Sequence, residues 1–213
     1  MITFENVRLQ LPQQVLFAAV NLDLAAGDKL VLRGASGSGK SSLLKCVVGA
    51  FPLSAGRIAV AGQELTATTV ATIRARIAYI GQEPVLGAES VREALLLPFR
   101  FKAHSGRRPL DKEVVALLER LHLSPNILEK PCNRISGGEK QRIAVARALL
   151  LDKQIFIADE ITSALDPESK EAVMAELFRP EITLLSVSHD PDWIAACTRI
   201  IELTDGQLRE EGR

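Results

Sequence analysis

Apolar and polar residues alternate along the N-terminal part of the chain, and this alternation predicts strands. It runs over Ile2–Leu9 and again over Val15–Leu24, with the two-residue period of a strand that buries one face. The turn Ala26-Gly27-Asp28 then leads into a third strand-like run, Lys29–Arg33. Because these strands follow one another at short intervals, we expect an antiparallel β piece at the start of the fold.

After residue 42, short apolar runs alternate with segments that carry apolar residues at helical spacing. The apolar runs predict strands at Arg57–Val60, Ile77–Ile80, Ile155–Ala158, Ile182–Val187 and Thr198–Leu203. The helical patterns lie at 42–48, 69–74, 90–97, 111–121 and 136–151, and two more helices begin at Asp166-Pro167 and Asp190-Pro191. This order is typical of a mostly parallel sheet that helices cover on both faces.

Residues 85–134 differ in pattern from the segments on either side. Ser90-Val91-Arg92-Glu93 is a capping box that opens a helix, and Asp111–Leu121 is a clear amphipathic helix. The pattern therefore predicts that this part of the chain is a mainly helical insertion into an α/β core. We predict a single domain over 1–213, with a core of 1–84 and 135–213 and a helical subdomain of 85–134.

Composition and charge limit the classes of protein to which the chain can belong. The chain has 213 residues, 47% of them hydrophobic, and its 26 Lys+Arg balance its 26 Asp+Glu. A nucleic-acid-binding protein usually shows a basic excess, so we expect no nucleic-acid partner. We see no apolar run long enough to cross a membrane and no signal-peptide pattern. Three cysteines without a C-x-x-C motif suit a reducing cytoplasm.

The most specific motif is a glycine-rich loop between a strand and a helix. Gly34-Ala35-Ser36-Gly37-Ser38-Gly39-Lys40-Ser41 fits the pattern G-x-x-x-x-G-K-[ST] of a P-loop. Its glycines allow successive backbone N–H groups to point into one concavity at a helix N-terminus, where a polyphosphate is favoured. Lys40 can reach the β- and γ-phosphates, and the Ser41 hydroxyl can bind Mg²⁺. The alternative is a glycine-rich turn without a ligand.

Two acidic residues end the apolar strand at Ile155–Ala158. Asp159 and Glu160 should lie beside the P-loop, because ligands gather at the carboxyl ends of parallel strands. Asp159 can hold Mg²⁺ through water, and Glu160 is placed to orient or deprotonate an attacking water. Acidic residues also begin ordinary loops, so the P-loop is what favours the catalytic interpretation.

Ser136-Gly137-Gly138-Glu139 opens the longest predicted helix. Its S-x-x-E pattern is a capping box. Two glycines in a first helical turn weaken a helix, but they allow a close approach of the backbone to a phosphate. Both interpretations can hold together. A chain with one P-loop has little need of a second anion site, unless that site serves a neighbouring copy.

Together these segments resemble the ATP-binding-cassette (ABC) ATPases. The matching residues are Gly34–Ser41, Gln82, Ile135–Glu139, Asp159-Glu160, Ser163–Asp166 and His189. The resemblance covers essentially the whole chain, and the order and spacing of the motifs fit. It implies an α/β P-loop NTPase fold of the ABC-ATPase type, with a mostly parallel core sheet, an N-terminal antiparallel β piece and a helical subdomain.

The resemblance also implies the site residues. Glu160, His189 and Lys40 would be catalytic, with Glu160 as general base and His189 as a γ-phosphate contact. Ser41, Gln82 and Asp159 would hold Mg²⁺. ATP would contact the whole P-loop, from Gly34, Ala35, Ser36, Gly37, Ser38 and Gly39 through Lys40 and Ser41 to Ser42, together with Gln82 and Asp159. Leu11 occupies the position where the family usually carries an aromatic residue that stacks on adenine.

Two kinds of partner follow from the same resemblance. Ser136, Gly137 and Gly138 would close over the ATP of a second, head-to-tail copy, so ATP would hold a homodimer together, and Asp166 would communicate across that interface. A separate transmembrane permease subunit would dock on the loop after Gln82 and on the helical insertion, which places the chain on the inner face of the cell membrane. Leu86, Val91 and Phe99 are either contacts with that subunit or core residues.

The transport class is a finer question. The segments 137–143 and 159–166 are most similar to ATP-binding subunits of the bacterial iron-efflux (Fet/Ybb) type, with a lipoprotein-releasing or macrolide-type exporter ATPase as the alternative. Outside transport, the alternatives are an ABC ATPase that acts on ribosomes or DNA and a P-loop kinase. The single cassette and the balanced charge disfavour the first, and the Ser136–Glu139 motif disfavours the second.

Overall fold

Two β-sheets organise the computed structural model, which describes residues 1–12, 14–104, 106 and 108–211. The strands are β1 (Ile2–Leu11), β2 (Gln14–Leu24), β3 (Lys29–Arg33), β4 (Ala55–Val60), β5 (Gln63–Glu64), β6 (Ile77–Ile80), β7 (Ile155–Asp159), β8 (Thr183–Val187), β9 (Arg199–Thr204) and β10 (Gln207–Glu210). The α-helices are α1 (Lys40–Val47), α2 (Val70–Arg74), α3 (Val91–Leu96), α4 (Asp111–Arg120), α5 (Gly137–Leu150), α6 (Pro167–Leu177) and α7 (Pro191–Ala196).

The smaller sheet is antiparallel, in the order β2-β1-β4-β5. The antiparallel β piece predicted at the N-terminus is confirmed for β1 and β2, but the third predicted strand, β3, lies in the larger sheet, where it pairs in parallel. β1 extends to Leu11 and pairs it with Gln14 at the start of β2. The alternation did not predict β5, because two residues are too few to establish a period.

The larger sheet has the order β10-β9-β3-β8-β7-β6. Its five strands from β9 to β6 are parallel, and β10 adds an antiparallel edge to β9. The mostly parallel core sheet is confirmed. Every residue of β7 and β8 is buried, as expected for strands that helices cover on both faces. Four neighbouring strands, β3, β8, β7 and β6, end at the same edge, and the predicted site follows them.

Side-chain alternation along β7 divides the core into two layers. Ile155 and Ile157 pack on the side of α1 and the antiparallel sheet, whereas Phe156 and Ala158 pack against the layer that contains α3, α4 and α5. Successive residues of a strand point to opposite faces, so one buried strand contributes to both layers. The helical residues after β6 therefore share a continuous core with the sheet.

The structure corrects the proposed partner contacts near α3. Leu86 is 5% exposed and Val91 is fully buried, so both are core residues and the contact interpretation is wrong for them. Phe99 is half-buried. Within the described parts of the chain, no helix combines the length and apolar character needed to cross a bilayer.

Candidate functional site

An open cleft of about 450 Å³ lies at the carboxyl ends of β3, β8, β7 and β6. Each of these strands is followed by residues that the sequence singles out: the P-loop after β3, His189 after β8, Glu160 after β7 and Gln82 after β6. The predicted site residues that line the cleft are Leu11, Ser36, Gly37, Gly39, Lys40, Ser41, Ser42, Gln82, Glu160 and His189. Sheet topology therefore brings together residues from four separate parts of the chain.

The P-loop needs glycine for two different reasons. Gly39, immediately before α1, has a φ of 101°, in the left-handed region that side chains disfavour. At Gly34 a Cβ would lie 2.4 Å from the Leu203 carbonyl oxygen, so no side chain fits there. Gly34, Ala35 and Ser38 do not line the cleft; they close the loop behind it, where the Ser38 N–H donates to the Ala35 carbonyl at 3.2 Å.

The Lys40 side chain lies folded across the loop that precedes it. Its Nζ donates to the carbonyl oxygens of Gly34 at 2.9 Å and Ala35 at 2.8 Å, and the residue is 5% exposed. These hydrogen-bond partners are neutral, and among the described residues no carboxylate lies within ion-pair distance of the ammonium, although its charge acts on the nearby Asp159 carboxyl. A buried cation held only by carbonyl dipoles is well suited to bind an anion that enters the cleft.

The hydroxyl of Ser41 joins the P-loop to the end of β7. Ser41 Oγ donates to Asp159 Oδ1 at 2.9 Å, and Asp159 is 3% exposed. Burial raises the pKa of the Asp159 carboxyl above its usual range, and the hydrogen bond from Ser41 opposes that rise. With the Gln82 amide, these groups form an all-oxygen set of the kind that Mg²⁺ prefers. The residues therefore fit the predicted metal, which stays a prediction.

Glu160 takes a backbone conformation that is rare for its residue type. Its φ is +49°, and its N–H donates to the Val187 carbonyl at 2.9 Å. Such conformations cost of order 1–3 kcal/mol and cluster at functional sites. The carboxylate lies between Gln82, whose Nε2 donates to Glu160 Oε2 at 3.0 Å, and His189, whose Nε2 is 3.8 Å from Glu160 Oε1.

The loop that carries His189 is fixed on its C-terminal side. The adjacent Asp190 caps α7 by accepting hydrogen bonds from the Asp192 and Trp193 N–H groups, and it accepts a further bond from Lys170 Nζ at 3.0 Å. Lys170 lies on α6, whose own N-cap is Asp166. The imidazole of His189 remains 59% exposed, so it is positioned at the cleft and open to a ligand.

The tip of α5 lies apart from this cleft. The Ser136 N–H donates to Glu139 Oε2 at 2.7 Å and Ser136 Oγ accepts from the Glu139 N–H at 3.1 Å, so the predicted capping box is present. The hydrogen bond from the Ser136 N–H lowers the pKa of the Glu139 carboxyl. Ser136, Gly137 and Gly138 are not among the residues that line the cleft. The second anion site at this tip stays a prediction.

The glycines at this tip differ in their surroundings. A Cβ at Gly138 would lie 3.0 Å from the Ala164 carbonyl oxygen, in the loop that follows Glu160. A Cβ at Gly137 would meet nothing within 4 Å. Gly138 is therefore needed for packing within the chain, whereas Gly137 leaves an open surface.

Sequence reasoning missed two residues of the cleft. Gln14 and Leu16 at the start of β2 line it together with Leu11. The available signal was the hairpin itself, because the strand that pairs with Leu11 must bring its own first residues to the same place. Leu11 and Leu16 therefore make part of the cleft wall apolar.

Comparison with known proteins gives matches along nearly the whole chain. The ABC transporter family model matches residues 17–163. The energy-coupling factor transporter ATP-binding protein EcfA1 of Leuconostoc mesenteroides is 32% identical over 224 residues, which cover 99% of this chain and 80% of EcfA1. The methionine import ATP-binding protein MetN of Brucella abortus is 33% identical over 220 residues, which cover 99% of this chain but 59% of MetN. The chain thus spans less than two thirds of the length of MetN.

Among solved structures, the dimeric post-hydrolysis state of the ATP-binding cassette MJ0796 bound to ADP and phosphate has a TM-score of 0.86 to this chain. It is 27% identical, and the match covers 99% of this chain and 98% of the cassette. A bacterial Atm1-family ABC exporter with ATP bound also has a TM-score of 0.86, at 26% identity, with 38% of the exporter covered.

Proposed function

The chain belongs to the ABC transporter family, and from that premise we propose that it is the ATP-hydrolysing subunit that drives a separate membrane permease. We also propose that it forms one ABC ATPase domain, with the ATPase core at 1–84 and 135–213 and the helical subdomain at 85–134. The observation that carries the proposal is the gathering of Lys40, Ser41, Gln82, Glu160 and His189 around one cleft.

Hydrolysis follows from the positions of three side chains. The Lys40 ammonium leaves its two carbonyl partners and contacts the β- and γ-phosphates, where it offsets the charge of the transition state. The Glu160 carboxylate, oriented by the hydrogen bond from Gln82, accepts a proton from the attacking water. The water oxygen bonds to the γ-phosphorus as the bond between the γ-phosphorus and the ADP oxygen breaks, so that ADP and phosphate leave. His189 contacts the γ-phosphate from the other side of Glu160. Mg²⁺ held by Ser41, Gln82 and Asp159 would neutralise part of the phosphate charge.

A second copy would complete each site. The cleft of a single chain is open on one side, and the tip of α5 lies elsewhere on the same chain. A head-to-tail homodimer would place Ser136, Gly137 and Gly138 of one copy over the ATP that is bound to the P-loop of the other. The dimeric state of the MJ0796 cassette supports this arrangement.

The variant Gly137→Asp tests whether the tip of α5 closes over the ATP of a second copy, without disturbing the fold. The new side chain has free space around it, and a carboxylate in the first turn of a helix is favourable, so we expect a normally folded chain. It would repel the γ-phosphate on the partner copy. We expect ATP affinity to stay within about threefold of wild type, while ATP-dependent dimers fall below detection by light scattering.

The matched control for this variant is Gly106→Asp. A Cβ at Gly106 also meets nothing within 4 Å, and its φ is not positive, so the same substitution is tolerated there without touching the tip of α5. This control should dimerise with ATP like the wild type. If Gly137→Asp also dimerises normally, the tip of α5 does not close over ATP.

The permease and the cargo form the finer part of the proposal. We propose a peripheral position on the inner face of the membrane and, from the similarity of 137–143 and 159–166 to the iron-efflux type, export of iron. The names of the relatives favour the opposite direction, since MetN is a methionine import protein. Import is therefore the second candidate.

Reconstitution decides between the two directions. The tagged chain would be purified from its native membrane together with its bound subunit, and the pair would be placed in vesicles with the ATPase side outward. In this orientation, ATP-driven accumulation of radioactive iron inside the vesicles is the expected result. Release of a preloaded cargo by external ATP would favour import, and recovery of the chain with ribosomes instead of a membrane subunit would contradict the transport proposal.

A further inference from the structure

A basic and apolar surface is formed by α3 and the segment between α3 and α4, outside the proposed ATPase site. Residues 97–110 of the sequence contain four basic residues and no acidic one, although the whole chain is neutral. Three arginines, Arg92, Arg100 and Arg108, line a small cavity of about 210 Å³ whose other walls include Leu96 and Phe99. We call Arg92, Leu96, Phe99, Arg100, Phe101, Arg108 and Leu110 the basic face.

Two of the three arginines are available to an anion. Arg92 is engaged, because its guanidinium donates to Glu129 at 3.0 Å and lies 3.5 Å from Asp111. Glu93 also lines the cavity, but its carboxylate accepts the Ser90 N–H in the capping box of α3. Arg100 and Arg108 make no ion pair with any described residue. Both residues line the cavity, and neither has a carboxylate partner among the described residues.

Two exposed apolar residues are close in sequence to these arginines, since Phe101 follows Arg100 and Leu110 lies two residues after Arg108. Phe101 is 60% exposed and Leu110 is 56% exposed, and they are two of the four large hydrophobic residues that are exposed in the described parts of the chain. Large apolar side chains beside arginines are characteristic of protein surfaces that lie in the interface of a bilayer. A cavity of this size is smaller than most sites for drug-sized ligands and suits a phosphate headgroup.

We propose that the basic face binds anionic phospholipids at a membrane surface. Arg100 and Arg108 contact the phosphate of a headgroup at the cavity, and Phe101 and Leu110 enter the interface beside it. Charge complementarity favours this occupant, because anionic lipids attract basic residues and accept neighbouring apolar side chains. The proposal does not depend on ATP hydrolysis, so its failure would leave the proposed function untouched.

Vesicle co-sedimentation of the full chain tests the proposal. We expect binding to vesicles of phosphatidylcholine and phosphatidylglycerol in equal parts, weakening as salt rises, and no binding to phosphatidylcholine alone. The double variant Arg100→Gln, Arg108→Gln should bind about thirtyfold more weakly, given the usual contribution of an arginine near an anionic surface. Phe101→Ser should weaken binding while its salt dependence stays like that of the wild type.

The control is the double variant Arg76→Gln, Arg209→Gln, which removes the same charge from two exposed arginines outside the basic face. It should bind anionic vesicles within about twofold of wild type. If the two double variants lost vesicle binding equally, net charge alone would account for the binding, and the proposal would be overturned. Binding of polyglutamate without binding of anionic vesicles would also overturn it, in favour of an acidic protein partner.

Discussion

The Glu160→Gln variant is expected to bind ATP and to hydrolyse it at least a hundredfold more slowly than the wild type. The substitution keeps the shape of the side chain and removes its ability to take a proton, and general base catalysis is typically worth about 10²- to 10⁴-fold. Steady-state phosphate release measures the loss. Because ATP would remain between two copies, gel filtration should show a dimer that persists in ATP and disappears in ADP.

Glu168→Gln is the matched control for this variant. Glu168 is exposed in the first turn of α6, so the same chemical change occurs outside the cleft. Its turnover should equal that of the wild type. Turnover at the wild-type rate in Glu160→Gln would remove Glu160 from its proposed role, even if the variant still formed dimers.

The sequence predicted the parts of this fold that repeat a period or carry a specific motif. Alternation in β1 and β2, the apolar runs of β7 and β8, and the Asp-Pro starts of α6 and α7 each have a local physical cause. The strand β10 was missed because Gln207–Glu210 is mostly polar and lies at the edge of its sheet, where only pairing with β9 orders it.

The residues of the candidate site could also be predicted from the sequence only in part. The P-loop and the carboxylates were identifiable because each motif is local, whereas Gln14 and Leu16 reach the cleft only through the pairing of β1 with β2. The left-handed conformation of Glu160 was also invisible, because nothing in a glutamate predicts a positive φ. Only burial in the structure shows that Leu86 and Val91 are core residues. The sequence could not separate this from a partner contact, because the same apolar residue types occur in cores and at interfaces.

Lys40→Ala is expected to raise the dissociation constant for ATP by about a hundredfold or more. The ammonium is buried beside the phosphate-binding loop, and each hydrogen bond from a charged group contributes about 1.5–3 kcal/mol, so losing two corresponds to at least two orders of magnitude in affinity. The fold should survive, because the Lys40 side chain bonds only the Gly34 and Ala35 carbonyls among the described residues, and water can reach these carbonyls once the side chain is removed. Titration calorimetry with ATP measures the change.

Lys45→Ala provides the comparison, because Lys45 is an exposed lysine on the same helix, α1. Both variants remove one positive charge and both introduce the best helix former. A general electrostatic attraction would therefore weaken ATP binding similarly in the two, whereas a specific contact with the phosphates weakens it only in Lys40→Ala. Unchanged affinity in Lys40→Ala would contradict the assignment of Gly34–Ser41 as the phosphate-binding loop. The roles proposed for Glu160 and His189 would then also lose their basis, because both depend on a γ-phosphate bound at that loop.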